Sequence, residues 1–73
     1  MSIRVELGKI SGGMSVVGYV EKESIVSFHY YDGGWTTGGS SCLPSNIEKA
    51  KLYVECYSQA MAKVQEIIDG GLV

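Results

Sequence analysis

The chain has 73 residues, enough for one domain and one small core. Its 45% hydrophobic and 19% charged content excludes a disordered chain. The net charge is -2, and Arg4, Lys9, Lys22, Lys49, Lys51 and Lys63 are scattered among eight acids. No basic face for a phosphate backbone is visible, so duplex nucleic acid is not an expected partner.

No apolar run approaches the ~18 residues of a membrane-crossing helix. The opening MSIRVELGK lacks the apolar centre of a secretory signal. These features predict a cytoplasmic location, with no membrane partner. Cys42 and Cys56 then read as free thiols rather than a disulfide. Two cysteines and the single His29, without C-x-x-C spacing, fall short of a zinc shell. Neither metal nor cofactor is expected.

The first element is SIRVELGKI, where Ile3, Val5 and Leu7 alternate with Ser2, Arg4 and Glu6. A period of two marks a half-buried strand, and Gly8 suggests a bulge or an early end. Ser11-Gly12-Gly13 reads as a turn. MSVVGYVEK supplies a second strand whose central Gly18 marks a bulge or a close approach by another group. A soft pivot is expected near Lys22-Glu23. SIVSFHYYD is the third strand, with Val26, Phe28 and Tyr30 on the better core face. Ile25, Ser27, His29 and Tyr31 fall on the other face. Asp32-Gly33-Gly34 is a strong turn. Trp35-Thr36-Thr37 returns as a short fourth strand, and Gly38-Gly39-Ser40-Ser41 reads as a loose loop.

After Pro44, Ser45-x-x-Glu48 has the form of a capping box. Ile47, Ala50, Val54, Tyr57, Met61, Val64 and Ile68 follow in steps of three and four, and Tyr53, Ala60 and Ile67 widen the stripe. Gly70-Gly71 is placed to close this helix. Cys56 lies at the edge of the stripe, as a small buried hydrophobe. The expected organisation is α+β: an antiparallel three- to four-stranded β-meander over 1–39, a loop at 40–45, and one long C-terminal helix over 46–69 packed on one face. The stripe is wide enough either to cover the sheet entirely or to meet a second copy in part. Tyr53, Tyr57, Met61, Val64 and Ile68 are thus candidates for core or for a dimer face.

Catalytic patterns are thin. A Cys–His nucleophile would need His29 beside Cys42 or Cys56 with a third orienting group, and no spacing calls for it. GGWTTGGSS lacks the lysine of a phosphate-binding loop. No catalytic residue is assigned, and no enzymatic activity is expected. The aromatic cluster in HYYDGGWTTGG is the better lead. Its core half shapes a hairpin. Its outward half, Ile25, His29 and Tyr31 with Trp35 nearby, would stand on the face that the helix leaves open. Exposed Tyr and Trp on a rigid scaffold are favoured contact residues. They also stack on unpaired bases, so a single-stranded nucleic-acid binder is an alternative.

In length, acidity and order of elements the chain resembles the small phage and mobile-element proteins that inhibit host defences, the anti-CRISPR proteins among them. That resemblance implies stoichiometric binding to a larger protein or protein complex, in the cytoplasm of a host cell. Beside it stands a homodimeric structural or assembly protein.

Overall fold

A computed structural model describes residues 2–70. Four strands, β1 (Ile3–Ile10), β2 (Gly13–Val20), β3 (Glu23–Tyr31) and β4 (Gly34–Ser40), lie in chain order in one antiparallel sheet, and α1 (Ile47–Asp69) follows. This is the α+β meander-plus-helix arrangement that the sequence predicts.

Two-residue turns join the strands. Asp32 and Gly33 have φ of 52° and 85°, the positive pair that a type I′ hairpin requires. The turn after β2 lies at Glu21-Lys22, one residue before the expected pivot. Glu21 takes a φ of 57° without being glycine. Its carboxylate accepts hydrogen bonds from Ser2 N at 2.7 Å and Ser2 Oγ at 3.3 Å, which tie the start of the chain to the turn. The bond from Ser2 N holds this exposed carboxyl below its ordinary pKa.

Facing rows of the sheet place Ile3 opposite Val20, Val5 opposite Gly18, and Gly18 opposite Val26. This face meets the helix, which lies over β1, β2 and β3, with its backbone set away from β4. The core comprises Val16, Val20, Ile25, Val26, Tyr53, Cys56 and Ala60. Gly18 sets the distance between the layers. A Cβ there would stand 2.8 Å from Cys56 Sγ and 2.9 Å from Val26 Cγ1. Small residues on both sides let the helix backbone approach the sheet, so the glycine marks both the close contact and an adjoining bulge.

That bulge corrects one expectation. The β2–β3 register shifts between Gly18 and Tyr19, so Val26 pairs with Gly18 and Ser24 with Tyr19. Ile25 drops out of the alternation and turns inward with Val26. It is 2% exposed and belongs to the core, not to the open face. Two strands also run longer than expected. β1 passes through Gly8 to Ile10, and β4 takes in Gly38-Gly39-Ser40. Gly39 and Ser40 pair with Ser27 and Val26, and Ser41 N donates to Ile25 O at 2.8 Å. The backbone ladder orders this segment without help from side chains.

The helix begins one residue later than the capping box implies. Asn46 is the N-cap, and its Oδ1 accepts from Lys49 N at 3.0 Å. At the other end Gly70 N donates to Glu66 O at 2.9 Å. Gly71, expected to close the helix with it, lies outside the described residues.

Candidate functional site: the outer flank of the helix

The open sheet face is polar and shallow. Its rows run Ile10–Gly13–Tyr31–Gly34, Gly8–Ser15–His29–Thr36 and Glu6–Val17–Ser27–Gly39. Tyr31 is 59% exposed at one corner, its ring lying over Gly12. His29 is half-buried and sits over Gly38, where a Cβ would stand 2.2 Å from Nε2. Arg4 stacks on Tyr19 at 4.4 Å from the ring centre and pairs with Glu6. Of the expected contact residues, His29 and Tyr31 share this face; Ile25 and Trp35 do not.

Trp35 pairs with Tyr30, whose neighbours alternate onto the helix side. The two rings meet at 5.5 Å with planes inclined by 56°. The indole is half-buried against the core, and its buried Nε1 has no hydrogen-bond partner among the described residues. Trp35 is therefore first a packing residue. The hairpin divides its aromatics by strand alternation, leaving one exposed ring where a pair was expected.

The largest apolar exposure lies elsewhere. Tyr53, Cys56 and Ala60 face the sheet and are buried, with Leu52, Tyr57, Val64 and Ile67 half-buried around them. Ile47, Val54, Met61 and Ile68 are not covered: each is between 43% and 70% exposed. Val54, Met61 and Ile68 each follow a residue of the track Tyr53, Ala60, Ile67, so they stand about 100° farther round the axis. The wide stripe is thus two tracks, one against the sheet and one facing out. Of the residues proposed for core or dimer, Tyr53 is buried, Tyr57 and Val64 form the shoulder, and Met61 and Ile68 face out.

A groove of about 430 Å³ lies at the start of the outer track, between Leu43 and Pro44 of the connecting loop and Ile47, Ala50 and Val54 of the helix. Leu43 is itself 53% exposed. The Tyr57 hydroxyl donates to Ser41 O and fastens this loop to the helix. Burial pushes the Tyr57 pKa up, with smaller contributions from Cys42, Tyr53 and Cys56. The predicted stripe contains Ile47 and Val54 without distinguishing them from its other members, and Leu43 lies outside it. The seven-residue spacing of 47, 54, 61 and 68 was the available signal.

Cys42 and Cys56 are both free, as expected. Cys56 is buried, its Sγ donates to Tyr19 O at 3.6 Å, and burial raises its pKa. A neutral, enclosed thiol is a poor nucleophile. Among the described residues no three His, Cys, Asp or Glu side chains gather as a metal ion would require. No helix there is long and apolar enough to cross a membrane. Comparison with protein families, curated proteins and solved structures found no match for this chain.

Proposed function

We propose that this chain is a non-enzymatic protein-binding module whose contact surface is the outer flank of α1 and the adjoining Leu43–Pro44 loop. One observation carries the reading: five large apolar side chains, Leu43, Ile47, Val54, Met61 and Ile68, stand exposed on the helix and its leading loop. Scattered apolar exposure is ordinary, whereas an aligned patch marks an interaction site. Leucine, isoleucine, valine and methionine offer no proton or nucleophile, so the surface suits burial against another polypeptide. An inhibitor of the anti-CRISPR kind falls within this class and would add a heterologous partner bound in fixed stoichiometry.

Lysine at Val54 or Met61 should leave the far-UV circular dichroism folded and melting cooperative, because each side chain already faces solvent. The same change should abolish co-purification of the native partner or self-association. Unfolding of both variants would assign the flank to the fold and remove the basis of this reading.

A further inference from the structure

We propose that α1 pairs antiparallel with α1 of a second copy of this chain. The inference rests on the outer flank being a contact surface, and it names what covers that surface.

Ile47, Val54, Met61 and Ile68 recur at seven residues without interruption along nearly the whole of α1. Their seam departs from an ideal helix by only about 20° per heptad, the drift that two helices absorb by supercoiling. A helix in a second copy carries the same period by necessity.

The flank is also self-complementary. A two-fold axis beside Tyr57 and Ser58 brings Ile47 opposite Ile68 of the second copy, and Val54 opposite Met61. The groove between Ile47, Val54 and Leu43 then receives the Met61–Ile68 stretch of the other helix, and the second groove does so in turn. Such an interface is isologous and closes on itself.

Along the outer edge of the seam stand Lys51, Ser58 and Gln65. The two-fold sets Lys51 against Gln65 and Ser58 against Ser58, with no like-charge pair. A parallel pair would instead set Lys51 level with its own copy and bring the helix N-termini together.

The test is sedimentation equilibrium on the full chain carrying Cys42→Ser. The expected mass is twice the 7.9 kDa of one chain. Met61→Lys should reduce it to one chain with the folded spectrum retained; Met61→Gln carries the same expectation should the lysine variant unfold. Orientation is read by oxidation. An Ile47→Cys chain mixed with an Ile68→Cys chain should form a disulfide-linked pair, while Ile47→Cys alone should not link to itself. A wild type that stays one chain at millimolar concentration overturns the second copy. Folded flank variants in that case leave the contact-surface reading standing, whereas unfolded ones end both. Self-linking of Ile47→Cys, or a doubled mass unaffected by the Met61 variants, overturns the antiparallel seam.

Discussion

Trp35 and Tyr31 face each other's neighbours across one tight turn, yet they point to opposite sides of the sheet. Tyr31 meets solvent, and Trp35 meets Tyr30 and the core. Truncating them should therefore have opposite consequences. Tyr31→Ala should change stability by no more than about 0.5 kcal/mol, as exposed positions do. Trp35→Ala should cost toward the lower end of the ~3–5 kcal/mol typical of large aromatic truncations, because the indole is only half-buried. Urea unfolding followed by circular dichroism checks both values. Equal losses would mean that Tyr31 packs as Trp35 does. The same measurement on Gly18→Ala should show a loss of about 1–3 kcal/mol, since a Cβ at 2.8 Å from Cys56 Sγ overpacks the layer contact.

At the scale of elements, the helix start separates two serviceable caps. Ser45 and Asn46 both favour the N-cap position, and Ser45-x-x-Glu48 has the better motif. The structure uses Asn46. Asn46→Ala should cost about 1 kcal/mol, and Ser45→Ala close to nothing, in the same unfolding assay. A reversed order would return the cap to Ser45. The strands show where sequence is and is not informative. Alternation in β1, the Asp32-Gly33 turn and the heptads of α1 are local signals, and each was legible. The Ile25 bulge was not, because it arises from pairing with a strand that is remote in sequence. The ordering of Gly38-Gly39-Ser40 was hidden for the same reason: its ladder uses backbone groups common to all residues. The rotation of α1 was hidden too. Tracks 53, 60, 67 and 54, 61, 68 are similarly apolar, and what selects the first is the fit of Cys56 and Ala60 around Gly18, a tertiary contact.

The whole molecule is a two-layer domain whose helix lies over β1, β2 and β3 and turns a row of large apolar side chains to solvent. Domains of this size rarely draw more than about 3–5 kcal/mol from one core. Association through the flank would add to that, and it would make stability depend on concentration. A tenfold rise in concentration is worth about 1.4 kcal/mol per dimer, or about 0.7 kcal/mol per chain. For a domain of this length, that shifts the melting temperature by roughly 3–6 °C. Thermal melts across two decades of concentration should therefore climb stepwise for the wild type and stay level for Met61→Lys, with the two curves converging at the dilute end. A level wild-type series would show that the fold stands on its one core alone. The exposed row would then be free for a different polypeptide. A rise shared by Met61→Lys would move the association to another face of the molecule, the polar sheet face that carries Tyr31 and His29.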